Sequence, residues 1–172
     1  MIPHKDKMQT GACILWRGKS VAHKVMQLWT DLTHASLIVR MDKYDLLKDK
    51  VFLIEAYEHG LEFNDLEEQM EGKDDDVYLF VPSELSRWNK ITIFKDAFNF
   101  LAKDKGYDYF GLVYSAVAHP ERNPERFFCS EFVDYIWTIS GLKRKEPGRY
   151  APWPGDIPKW WEGQLYTIRE EK

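Results

Sequence analysis

The chain has 172 residues, 44% hydrophobic and 15% aromatic, with a formal net charge of −4. That length and apolar content fit one globular domain over residues 1–172 with a substantial core, and the acidic balance gives no general electrostatic reason to bind a polyanion, so nucleic acid is not an expected partner. No window approaches the ~18 consecutive apolar residues of a membrane span, and the apolar run after the polar start is too short for a signal-peptide core, so the expectation is a soluble, cytoplasmic protein.

In chain order, GACILWRG (11–18) reads as a strand bounded by glycines. SVAHKVMQLWTDL (20–32) reads as a helix with Val21, Val25, Leu28, Trp29 and Leu32 at its apolar positions and Ser20 as N-cap. THASLIVR (33–40), VFLIEAYE (51–58) and DVYLFVPS (76–83) are β-rich runs separated by acidic loops. After Pro82 the period changes. WNKITIFKDAFNFLAKDKG (88–106) puts Ile91, Phe94, Phe98 and Leu101 on one helical stripe with Gly106 as a stop signal. In RFFCSEFVDYIW (126–137) Phe128, Phe132, Val133, Ile136 and Trp137 recur at helical spacing, and Gly141 stands just past the end. The tail GRYAPWPGDIPKWW (148–161) carries too many breakers for regular structure, but its rings suit packing over a surface. Strand, helix, several strands, two helices and a wrapping tail predict an α+β fold rather than a doubly wound one.

Only two cysteines are present, Cys13 and Cys129, in no CxxC pair, so reduced thiols are the expectation. A helix starting near residue 128 or 129 puts Cys129 in its first turn, where free N–H groups and the positive end of the dipole favour a thiolate and can hold an oxyanion. Cysteine is also among the most buried residue types, and on this segment alone packing is the better reading. A cysteine nucleophile needs a base, normally histidine, and a third group to orient it. His4, His59 and His119 fall in polar or turn segments and His23 in the first helix. His34 opens a β-rich run, and alternation places it on the face of Ser36 and Ile38. Glu55 interrupts an otherwise apolar strand on the face of Leu53 and Tyr57, and a carboxylate there is costly to bury unless paired. If the two strands are adjacent and in register, His34 and Glu55 touch, and three separately ambiguous residues become one Cys/His/Glu hypothesis.

The ordered set LTHASLIV, FLIEAYEHGLEF, FFCSEFVDYIW and PWPGDIP resembles the circularly permuted papain-like amidases, the YiiX/YaeF-like branch of the NlpC-type cell-wall peptidase superfamily. The resemblance covers roughly residues 11–160, and its weight lies in the order and spacing of short motifs, with the histidine segment ahead of the cysteine helix. It implies a small antiparallel sheet packed against helices, Cys129 as nucleophile, His34 as base and later acid, and Glu55 as the group orienting His34. Ser130 and Glu131 follow the nucleophile as in that branch, with Glu131 supporting local structure. The start departs from the family's Gly-Asp pair, since Ala12 and Cys13 follow Gly11, and Cys13 reads as a strand packing residue.

GYDYFGLVYSA (106–116) looks like the stretch before the cysteine helix in such proteins; Tyr107, Asp108 and Tyr109 either line a substrate cleft or anchor the loop. Tyr57, beyond Glu55, is a candidate for substrate contact and for a second oxyanion donor. Trp153, Trp160 and Trp161 either pack the tail or wall a groove. Neither cofactor nor metal is expected, because no HExxH or paired-cysteine spacing is present. The implied activity is amide hydrolysis on a small peptide, amino-acid-containing or cell-wall-derived substrate. The alternatives are a lipid thioesterase or acyltransferase using the same triad on an acyl substrate, and a catalytically inactive binding module.

Overall fold

The computed structural model describes residues 2–19, 27, 30–42, 46–57, 59–103, 127–145 and 151–170. Six antiparallel strands form one sheet: β1 (Cys13–Arg17), β2 (His34–Val39), β3 (Phe52–Tyr57), β4 (Gly60–Asp65), β5 (Asp76–Pro82) and β6 (Gly163–Arg169). Their spatial order is β4-β3-β2-β1-β5-β6. Four helices accompany them among the described residues: α1 (Leu66–Met70), α2 (Arg87–Leu101), α3 (Cys129–Ile139) and α4 (Ile157–Trp160). The fold is therefore α+β. Among the described residues no helix is long and apolar enough to cross a membrane.

Both faces of the sheet are covered, which is why β1 reads as an unbroken apolar run rather than an alternating one. Cys13, Leu15, Ala35, Leu37, Val39, Ile54 and Ala56 join a core with Ile93 and Ala97 of α2 and Phe132, Val133, Ile136 and Trp137 of α3. Their neighbours Ile14, Trp16, Ile38, Leu53, Val77 and Leu79 point the other way and pack with Met8, Val51 and Leu66. Gly11 leads into β1 at φ +93°, and a Cβ there would lie 2.8 Å from side-chain carbons of Ile93 and Leu85. Both the backbone sign and the close approach select glycine. Its carbonyl accepts the Trp137 indole N–H at 2.8 Å, tying α3 to the sheet.

Helix α2 begins at a capping box in which Asn89 N–H donates to Ser86 Oγ and Ser86 N–H donates to Asn89 Oδ1, both at 3.1 Å. The stripe expected from Ile91, Phe94, Phe98 and Leu101 needs correction. The fully buried line is Ile93 and Ala97, one helical turn apart; Phe94, Phe98 and Leu101 flank it half-buried, and Ile91 is 51% exposed. The capped start fixes the helix's rotation, and Ile91 lies two residues, about 200°, around from Ile93. Helix α3 ends as its glycine foretells. Gly141, at φ +86°, follows the last turn, with Leu142 N–H bonded to Trp137 O and Gly141 N–H to Thr138 O, the paired hydrogen bonds of a Schellman motif.

The tail also departs from expectation. Pro154–Asp156 forms a 3₁₀ turn and α4 follows it at once, because two prolines near helical N-termini sit where no intrahelical N–H is needed. Strands β4 and β6, which sequence patterning does not single out, enlarge the sheet at its two edges. The expected helix over 20–32 lies outside the described residues except at 27 and 30–32, where 30–32 is irregular. Tyr107, Asp108, Tyr109 and the Gly106 stop also lie outside them.

Candidate active site

The site is built where β2 outruns its neighbour. The β2–β3 ladder runs from Val39–Phe52 only to Leu37–Ile54. Beyond it, at the start of β2, the Ala35 N–H favours the ionised form of the Cys129 sulfur. Cys129 is the first residue of α3, following an extended Phe128 whose side chain makes no cap. The Ser130 N–H acts in the same direction, so two backbone donors and the positive end of a helix favour the charged form of one thiol. The helix start is held from outside by the tail, with Ser130 Oγ donating to Pro152 O at 2.6 Å.

His34 and Glu55 meet across β2 and β3. His34 Nε2 lies 3.1 Å from Glu55 Oε1, which leaves Nδ1 as the ring nitrogen available to Cys129. Glu55 has no solvent exposure, yet its carboxylate is well supplied with donors. Besides His34, Ser36 Oγ–H donates to Oε1 at 2.5 Å and Asn64 Nδ2–H to Oε2 at 3.0 Å. Ser36 is itself fixed by the Trp16 indole, whose N–H reaches Ser36 Oγ at 2.8 Å. This is the condition under which a buried charge persists: an opposite charge and hydrogen bonds to both oxygens.

The electrostatics follow from these neighbours. Burial pushes the Glu55 carboxyl up, but the bond to His34, the imidazolium charge and the bonds from Ser36 and Asn64 outweigh it, and its pKa ends below the ordinary value. Burial pushes His34 down, but the charge of Cys129, a hydrogen bond to it and the Glu55 carboxylate raise it to about 10. At Cys129 burial is again opposed, by the His34 charge, by its hydrogen bond, and by the Ala35 and Ser130 N–H groups, and the thiol pKa is lowered. Each shift thus favours the charged form of its group: the carboxylate of Glu55, the imidazolium of His34 and the thiolate of Cys129. Cys13 behaves oppositely, with burial pushing its thiol well up.

Tyr57 packs its ring against that of His34, centroids 5.1 Å apart and planes 22° from parallel. Burial and the carboxylates of Glu55 and Glu62 raise its pKa, and its hydroxyl interacts with Glu55. Tyr57 thus stacks on the imidazole and keeps its proton, rather than presenting a charge to the site. Glu131 is buried in the first turn of α3.

Two supporting groups have no role that the sequence alone assigns. Ser36 shares the His34 face by simple alternation, and that is the signal for it. Asn64 lies on β4, opposite Leu53, and only recognition of that strand would have placed it beside Glu55. On the far side of α3, the fully buried Asp134 takes the Arg144 guanidinium, with Arg144 Nε at 2.7 Å, and the Trp161 indole N–H at 3.1 Å. Trp160 and Trp161 lie 5.2 and 5.9 Å from the same guanidinium, so this cluster pins the tail behind the cysteine helix. Among the described residues, no group of three or more His, Cys, Asp or Glu side chains is placed to hold a metal ion. No protein-family model matches the sequence, and no curated protein matches it.

Proposed function

We propose that the protein is a cysteine-dependent hydrolase of the permuted papain-like kind, acting on amide bonds of a small peptide or amino-acid-containing substrate. The observation that carries this reading is the buried, three-donor Glu55 carboxylate holding His34 against a cysteine at a helix N-terminus. A packing cysteine needs none of this; a nucleophile needs all of it.

In the proposed reaction the Cys129 thiolate attacks the carbonyl carbon, and the oxygen becomes an oxyanion stabilised by the free N–H at the start of α3. The imidazolium of His34 gives its proton to the leaving nitrogen as the C–N bond breaks, leaving a thioester on Cys129. Neutral His34 then takes a proton from water, hydroxide adds to the thioester carbonyl, and collapse releases the acid and restores thiolate and imidazolium. Glu55 remains ionised throughout and fixes the ring's tautomer and direction.

The test is hydrolysis of a panel of amide, ester and thioester substrates by wild type, Cys129→Ala and His34→Ala. Activity on at least one substrate that disappears in both variants, with unchanged circular dichroism, supports the reading. Full activity in either variant removes it.

A further inference from the structure

We infer that the opposite end of β2 carries a second binding site, for a single-chain anionic amphiphile, set between the loop after β2 and the first turns of α2. Arg40 directly follows β2, six residues and about 20 Å along the strand from His34. There a groove of about 600 Å³ opens beside it, a size that suits a small ligand. Met41, Ile91 and Phe94 supply apolar lining, and Arg40, Arg87 and Lys90 supply the cations. The groove's one acid, Asp42, is already engaged, accepting from Arg40 Nε at 2.9 Å. No carboxylate among the described residues pairs with Arg87 or Lys90. Among the described residues two positive charges are thus left over, on a chain whose net charge is −4.

Two features of α2 are unfavourable for folding alone. Its first turn contains no acidic residue and carries Arg87 and Lys90 instead, cations at the positive end of the helix dipole. The same turns leave Ile91 51% and Trp88 73% exposed, although buried positions lie on the adjoining face. Local choices that oppose stability mark functional surface. A ligand with an anionic head between Arg87 and Lys90 and an alkyl body along Met41, Ile91 and Phe94 answers both: it offsets the charges and covers the apolar side chains. The site is independent of whether Cys129 is a nucleophile.

The test is isothermal titration of the full chain with dodecanoate, dodecyl phosphate and dodecyltrimethylammonium, each kept below its micellar concentration, alongside flotation with phosphatidylglycerol vesicles. Saturable one-to-one binding of the two anions, at least tenfold tighter than the cation, is expected. Arg87→Glu/Lys90→Glu should lose at least tenfold in affinity for the anions while its melting temperature rises, because the new carboxylates suit the helix dipole. Ile91→Asp should weaken binding without a fall in melting temperature. Equal affinity for all three head groups, unchanged binding in the charge-reversed variant, or binding to vesicles without binding to the monomeric anions would each overturn the inference.

Discussion

The two ends of β2 solve opposite problems with the same strand. At the His34 end every buried polar group is answered: Glu55 has three donors, and the thiol has an imidazole and two backbone N–H groups. At the Arg40 end charge and apolar surface are left over among the described residues, with Ile91 exposed at the groove and Trp88 exposed on the same helix. The first end is organised before anything binds, as the proposed reaction requires. The second is incomplete by itself. Preorganisation and incompleteness are distinct marks of a functional surface, and each can be disturbed separately.

The largest effect is expected at the preorganised end. Cys129→Ala should lower hydrolysis by at least about 10⁴-fold, measured on the best substrate of the panel, while leaving the fold intact. Glu55→Gln keeps the size but removes the charge, and should cost about 10²–10⁴-fold in kcat through the wrong tautomer and orientation of His34. Its counterpart Glu55→Ala strands the partners of a buried charge and should destabilise by about 3 kcal/mol in urea unfolding.

A pH effect comes next. His34 is raised to about 10 in the fold, so its contribution to stability is fully present below its ordinary value near ~6.5 and is lost as pH rises through about 10. Glu55 is lowered, so its contribution is present above the ordinary carboxylate value and lost as pH falls through the depressed one. Urea unfolding of wild type against His34→Ala should therefore show a stability difference that shrinks at the alkaline end. A difference that grows there would contradict the assignment.

The smallest effect belongs to the incomplete end. Arg87→Glu/Lys90→Glu should raise stability by about 0.5–1 kcal/mol through the α2 dipole, read as a small increase in melting temperature. A gain at Arg87 and Lys90, against losses at Glu55, sharpens the contrast between a region selected for order and one held back from it.

The sequence reveals the first end better than the second for a physical reason. Strand alternation is short-range, so His34, Ser36 and the odd carboxylate Glu55 can be placed on faces from their own segments, and the cysteine helix shows itself by its period and its terminal Gly141. What joins them is not local. The β2–β3 register, which puts His34 at Glu55, and the early end of their ladder are set by sheet packing. Asn64 stays hidden because GLEFND carries polar residues on a half-exposed edge strand, burying only Gly60 and Asp65. Strand β6 is hidden likewise, with Ile168 its one buried residue. The rotation of α2 is misjudged because Ile91 is apolar by composition but lies off the buried line, and that departure is what marks the groove.

The central claim is that Cys129 is held as a thiolate by His34. The direct measurement is the rate of iodoacetamide labelling of Cys129 against pH, followed by intact mass in a Cys13→Ala background, for the otherwise wild-type chain and for His34→Ala. The rate for the parent should reach half its plateau below the ordinary thiol value of about 8.5, and the inflection should move upward when His34 is removed. An inflection at or above the ordinary value in the parent, unmoved by His34→Ala, would contradict the account and return Cys129 to the core.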